Sequence, residues 1–374
     1  MMQVPLTRRD FLRRSLVVGG AVIFAPGLLT ACGGGGGGSG SRSLRHSNWP
    51  TYIDEESVRL FREETGIDLD YIEDINDNGE LFAKIQPDLS AGRNPGADII
   101  TPTYWMAGRL IGLGFVEELP LDQIPNAKNL VADLRNPSWD PEGRYSLPWQ
   151  SGMTGVAYNI AATGKELQST NDLFDPAYKG KVGMLTEMRD TLGLVLLGLG
   201  KDPATITFDG AAEAFDKIEK AKVDGQIRQF TGNDYMDDLA AGNFVAAVGW
   251  SGDISQLALD NPDLRFVIPE EGGMRWSDVM VIAAKAPNIA DAAAWMNYVY
   301  DPVNAARIAA SVGFNSPVEG VSEQLRANPE TAALGDSLLM FPDEESLSRL
   351  VVFKNLGEEE EGLFEGRFSA IVGA

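Results

Sequence analysis

From about Leu44 onward, short apolar runs alternate with amphipathic stretches. "LRHSNWPTY" opens as a strand and ends in a loop. "DEESVRLFREETG" follows, with Val58 and Phe61 on one helical face and Gly66 as its stop. Strand "IDLDYIED", helix "GELFAKIQPDLSAG" and strand "ADIITPT" come next. This βαβα order predicts a parallel sheet with helices outside. It returns later as strand "KVGMLT" (Lys181–Thr186), helix "AAEAFDKIEKA", strand "VAAVGW" and helix "DAAAWMNYVY". Tyr145–Asn159, "YSLPWQSGMTGVAYN", reads as a crossing between two lobes, because Pro and Gly interrupt it before a strand-like run. In "EEGGMRWSDVMVIA" (Glu270–Ala283) the apolar tail from Val279 predicts a strand entering a core. Strand periodicity then puts Trp276 and Asp278 on one side.

The N-terminus departs from this pattern. Arg8, Arg9, Arg13 and Arg14 form a basic region, and Ser15–Leu29 is an apolar stretch too short and Gly-rich for a membrane span. Thr7–Leu12, "TRRDFL", matches a twin-arginine export signal. Leu29-Thr30-Ala31-Cys32 resembles a bacterial lipobox, in which the chain is cut before the Cys and the Cys is lipidated. Met1–Ala31 is therefore expected to be a leader, and Cys32–Ser43 a lipid-anchored Gly/Ser tether. Cys32 is the sole Cys, so its lipidation leaves no thiol for a disulfide or a metal. The folded part is expected outside the cytoplasm, in the periplasm or at the cell surface, held to the membrane by the anchor alone.

About 330 residues remain, enough for two domains. The chain carries 31 basic and 54 acidic residues, a formal charge of −23. Removing the leader, with its four Arg and one Asp, takes this to about −26. Such a surface excludes nucleic acid and anionic lipid as partners and favours cations. Glu358–Glu361 reads as a solvated acidic run.

Ligands of α/β sheets sit at the carboxyl ends of strands, and the strand ends here are aromatic. Trp49 and Tyr52 follow the first strand, Tyr104 and Trp105 follow "ADIITPT", and Trp250 ends "VAAVGW". Trp276 and Asp278 open their strand, while Glu187, Arg189 and Asp190 follow "KVGMLT". Aromatic faces attract organic cations, each contact contributing ~0.5–2 kcal/mol. Carboxylates neutralise ammonium groups. Together they suit a ligand with positive ends and an apolar middle, a polyamine.

Catalysis finds little support. The one His, His46, has no partner at motif spacing, and G-x-S-x-G, H-E-x-x-H and P-loop patterns are missing from the sequence. No cofactor is implied, and the reading is a binder, not an enzyme. A secreted hydrolase using two carboxylates beside an aromatic platform is the minor alternative. "DINDNGEL" (Asp74–Leu81) imitates the start of a calcium loop, but position twelve is Ile85 instead of Glu. It reads as the capped entrance to a helix, with no metal.

These residues resemble the spermidine/putrescine-binding proteins that feed ABC importers. The similarity runs from Ser47 to about Asn355 through "NWPTYI", "ETGIDLDY", "ADIITPTYW", "DPEGRYSLPWQSGMTGVAYN", "FDPAYKGKVGMLTEMRD", "GNFVAAVGWSGD" and "PEEGGMRWSDVMVI". The last is the most specific. The resemblance implies a two-lobed periplasmic-binding-protein-like α/β fold. Each lobe would be a mixed, mainly parallel sheet flanked by helices, with the cleft between them. One lobe would comprise Leu44–Gln150 and Val279–Gly320, the other Ser151–Asp278 and Val321–Ala374. It implies a ligand site of Trp49, Tyr52, Thr103, Trp105, Glu187, Asp190, Trp250, Trp276 and Asp278, and an ABC permease as partner. Two departures bear on the ligand. The acids Glu187 and Asp190 stand one residue closer than in the family, and a position near the C-terminus that is often Gln falls near Lys354, where a cation would oppose further ammonium groups. Another solute, such as an amino-acid derivative, a guanidinium compound or a sugar, is the alternative.

Overall fold

The structure, a computed structural model, describes residues 42–137 and 139–373. The leader, Cys32 and the Gly run lie outside the described residues. Strand β1 (Ser43–Asn48) pairs in parallel with β2 (Asp68–Glu73) and β3 (Ile99–Ile100). Between them lie α1 (Glu55–Thr65) and α2 (Asn78–Ser90). Each helix starts on an aspartate cap: Asp54 accepts from the Ser57 amide and Asp77 from the Glu80 amide, both at 2.8 Å. Phe61 turns α1 onto the sheet and is fully buried, while Val58 is half-buried. Gly66 ends α1 in the left-handed conformation, at φ 70°. Strand β3 is shorter than "ADIITPT" suggests. Pro102 has no amide to give the ladder, and beyond it Thr103 pairs again, singly, with Asp278. Helix α3 (Tyr104–Gly112) follows at once.

The crossing segment is β4, a single strand of 14 residues (Ser146–Asn159). Beyond it come β5 (Val182–Leu185), α4 (Met188–Gly198), α5 (Ala212–Val223), β6 (Ile227–Thr231), α6 (Tyr235–Ala240), β7 (Ala246–Trp250), α7 (Ser251–Asp260) and β8 (Leu264–Val267). Strand β9 (Gly273–Ile282) then runs antiparallel along β4, from Met274 opposite Thr154 to Val281 opposite Ser146. The register slips between Pro148 and Gln150, where proline again withholds a donor. Strand β9 starts six residues earlier than its apolar tail, so Trp276 and Asp278 lie within the strand. The hydrogen-bonded order is β2-β1-β3-β9-β4-β7-β5-β6. Two parallel cores, β2-β1-β3 and β7-β5-β6, define two lobes, and the antiparallel pair β4–β9 joins them into one sheet.

The last quarter covers both lobes. Helix α8 (Ile289–Val299) packs on β1 and β9, α9 (Pro302–Val312) on α8, and α10 (Val321–Ala327) on α9. Strand β10 (Leu350–Val351) pairs with the start of β9, and α11 (Glu358–Val372) packs on α5. Under α8 the sole His is a core residue. Trp295 Nε1 donates to His46 Nδ1 at 3.0 Å, and His46 Nε2 meets the Thr101 hydroxyl at 2.7 Å. Burial lowers its pKa to about 3, so it is a neutral packing element.

Candidate functional site

A cavity opens at the β4–β9 junction, with about 400 Å³ of space among its walls, the solvent at its mouth included. Its aromatic walls form a continuous edge-to-face belt. Trp49 meets Trp250 at 6.2 Å between ring centroids, Trp250 meets Trp276 at 6.3 Å, Trp276 meets Phe314 at 5.4 Å, and Phe314 meets Tyr52 at 5.1 Å. Trp49 is pinned by its indole N–H, which donates to the Thr101 carbonyl at 2.9 Å. Trp276 lies over Gly152 on the facing strand, where a Cβ would stand 2.3 Å from its ring. Only a glycine at that register lets the indole lie flat.

Four carboxylates share the cavity: Glu187, Asp190, Asp253 and Asp278. Each reaches it from a strand end, the first turn of a helix or, for Asp278, the middle of β9. Asp278 Oδ2 accepts from the Tyr52 hydroxyl at 3.0 Å, and Oδ1 is buried with no hydrogen bond. Asp253 Oδ2 accepts from the Tyr235 hydroxyl at 2.9 Å, which itself accepts from the Trp250 amide. Asp190 accepts from the Thr154 hydroxyl. Glu187 Oε1 accepts from the Asn78 amide and side chain, both at 2.8 Å. Burial raises all four pKa values: Asp190 to about 6, Asp253 and Asp278 to about 7, and Glu187 to about 8. Neighbouring carboxylates add to this, Asp190 for Glu187, and Asp190 and Asp253 for Asp278. Among the described residues lining the cavity there is no Lys, Arg or His. The site is thus four acids in an apolar, aromatic box with no internal counter-ion. Charging them together requires a cation from outside.

Of the nine residues expected from sequence, the structure brings Trp49, Tyr52, Thr103, Glu187, Asp190, Trp250, Trp276 and Asp278 to this cavity. Trp105 is elsewhere: its ring lies under the Arg189 guanidinium, 3.9 Å from carbon to centroid. Arg189 is itself buried and paired with Glu361 and, at 3.4 Å, Glu365. The reading of Glu358–Glu361 as a wholly solvated run is therefore corrected. Glu361 is only 14% exposed, because buried Arg189 needs its charge. Lys354 also does not oppose a ligand. Its ammonium pairs with Glu360 at 2.8 Å and is not part of the cavity wall.

Asp253, Asn233, Phe314 and Pro50 complete the wall and were not anticipated. For Asp253 a signal existed, an acid three residues after a strand-terminal Trp, in the first turn of the next helix. Phe314 follows the Gly313 stop of α9, and nothing in its local sequence points toward the cavity. The calcium-like turn serves as a helix entrance. Asp77 caps α2 and Asp74 pairs with Lys84. Among the described residues, no cluster of His, Cys, Asp and Glu could hold a metal.

The sequence pattern of bacterial extracellular solute-binding proteins matches residues 56–333. The chain is 30% identical to the putrescine-binding periplasmic protein PotF of Escherichia coli, over 84% of this chain and 87% of that one. It is 26% identical to spermidine/putrescine-binding periplasmic protein 1 of Haemophilus influenzae, over 71% and 72% of the two chains. Among solved structures, the spermidine/putrescine ABC transporter substrate-binding protein PotD of Streptococcus pneumoniae superposes with a TM-score of 0.72 at 27% identity, covering 88% of this chain and 98% of that one. The Tp0655 lipoprotein of Treponema pallidum shares the fold, with a TM-score of 0.74 at 22% identity, over 89% and 100% of the two chains.

Proposed function

This chain belongs to the bacterial extracellular solute-binding protein family, and we propose that it captures a polyamine outside the cytoplasm and delivers it to an ABC permease. The observation that carries this reading is the set of four buried acids with no internal cation. A sugar would leave those charges uncompensated. A diamine or triamine places an ammonium against each end and its methylene chain along the aromatic belt. The relatives named for putrescine and spermidine support the same choice.

The lobes are divided as Leu44–Gln150 with Val279–Gly320, and Ser151–Asp278 with Val321–Ala374. Strands β4 and β9 are the crossings, which puts Trp276 and Asp278 in the cleft. Helix α10, the first segment of the second lobe after Gly320, packs across on α9 of the first. Cys32 anchors the receptor through its lipid. Changing Cys32 to Ser is expected to release the protein from membranes after a salt wash, whereas retention places the anchor elsewhere.

The function is tested by titrating the folded part with putrescine and spermidine while following tryptophan fluorescence. Trp49, Trp250 and Trp276 line the cavity, so a saturable change is expected, with the amine recovered chemically intact. No response to either amine, or steady formation of product, contradicts the reading.

A further inference from the structure

We infer that the entrance of α2, residues Asn76–Asn78, is the clasp that holds the two lobes shut. In this clasp Asn78 positions Glu187, and Gly232 is the position whose missing side chain permits closure. The inference rests on the proposed reading of a polyamine site in the cleft between two lobes, and it adds closure of the lobes and the contacts that would hold them.

The entrance turn belongs to the first lobe and meets two segments of the second. The Asn233 amide donates to Asn76 Oδ1 at 3.0 Å and lies 3.3 Å from the Asn76 carbonyl. The Thr186 hydroxyl donates to Asp77 Oδ2 at 3.2 Å. The Asn78 amide and side chain both donate to Glu187 Oε1 at 2.8 Å, and Asn78 Nδ2 also reaches the Thr103 hydroxyl at 2.9 Å. Asn78 is fully buried. Two independent stretches after β5 and β6 thus grip one turn between β2 and α2.

The fit is tight at one point. A Cβ on Gly232 would lie 2.6 Å from both the carbonyl and the Oδ1 of Asn76. Backbone cannot yield there without moving the lobes apart, so any side chain at 232 acts as a wedge. Gly232 is not part of the cavity wall, so the wedge removes no ligand contact. Glu187 does line the cavity. Its carboxylate therefore belongs to the clasp and to the ligand site together, and a cation beside it keeps charged the acceptor that the Asn78 donors need. Capture and closure are linked through this one side chain.

The test compares the parent, Gly232→Val and Asn78→Ala. Without ligand, hydrogen exchange is followed at the Asn78 and Asn233 amides. With saturating putrescine, small-angle scattering reports compaction and stopped flow reports the rates. Gly232→Val is expected to exchange faster at both amides, to stay expanded with putrescine, and to release it at least tenfold faster. Association should remain within about twofold of the parent, since closure follows encounter. Thermal unfolding of the ligand-free protein should be unchanged, which separates a wedge from a folding defect. Asn78→Ala, which loses only side-chain bonds, should fall between the two. Parent-like compaction and release in both variants overturn the clasp. If the parent does not bind putrescine, the proposed function fails, while the exchange comparison still decides the clasp, since equal exchange in parent and wedge refutes it.

Discussion

Asp190, Asp253, Asp278 and Glu187 each meet burial that favours the neutral acid, and this makes a prediction about pH. A carboxyl whose pKa is higher in the folded than in the unfolded chain holds its proton more tightly when folded. The stability it contributes is complete below the unfolded value, about 4, and is lost as pH rises through the folded values of about 6 to 8. The ligand-free protein is therefore expected to be less stable near pH 8 than near pH 5. A bound ammonium reverses the sign, because it requires the ionised form. Putrescine should raise the unfolding temperature more at pH 8 than at pH 5, and should release protons as it binds near pH 6.5. Thermal unfolding with and without putrescine at these values checks this, and an equal ligand effect at both ends contradicts it. His46 takes no part, being neutral throughout the range.

Helix α11 shows how a run of charge can be read wrongly from sequence, where Glu358–Glu361 reads only as a solvated acidic run. Four consecutive Glu in a first turn suit a helix N-terminus, and Glu358 is exposed. Glu361 instead turns inward to Arg189 on α4, whose guanidinium also lies over the ring of Trp105 from α3. Glu361→Gln is expected to destabilise the fold by about 1–3 kcal/mol, since a buried charge loses a partner, with Glu365 taking part of the load. Urea unfolding of this variant beside Glu358→Gln, which should match the parent, measures it. Equal midpoints in the two variants would remove Arg189's dependence on Glu361. The same contrast marks what sequence carried. Period-two alternation placed Trp276 and Asp278 on one face, and capping signals read "DINDNGEL" as a helix entrance. The Arg189–Glu361 pair spans 172 positions, and no local pattern records such a meeting. Trp105 lies against that pair and not on the cavity wall. Asp253 was within reach of a local rule, whereas Phe314 became a wall only through the packing of α9 beside the cleft.

At the scale of the molecule, the two parallel cores and the β4–β9 pair explain why the site lies where it does. The aromatic belt and all four acids gather where two crossing strands bring both lobes to one place. In the proposed reading, the acidic surface steers cations toward that place and the buried acids hold them. We propose that Asp278, with one oxygen unpaired in an aromatic box, is the counter-ion of a bound ammonium. Asp278→Asn preserves shape and the contact with Tyr52 while removing the charge. Truncating one partner of a desolvated pair typically costs ~2–5 kcal/mol, which is roughly thirty-fold to several-thousand-fold in affinity. Calorimetric titration of the parent and Asp278→Asn with putrescine measures this difference directly. Saturable binding by the parent and a loss in that range for the variant are expected. Binding by Asp278→Asn within about threefold of the parent, a difference near 0.7 kcal/mol, would contradict it.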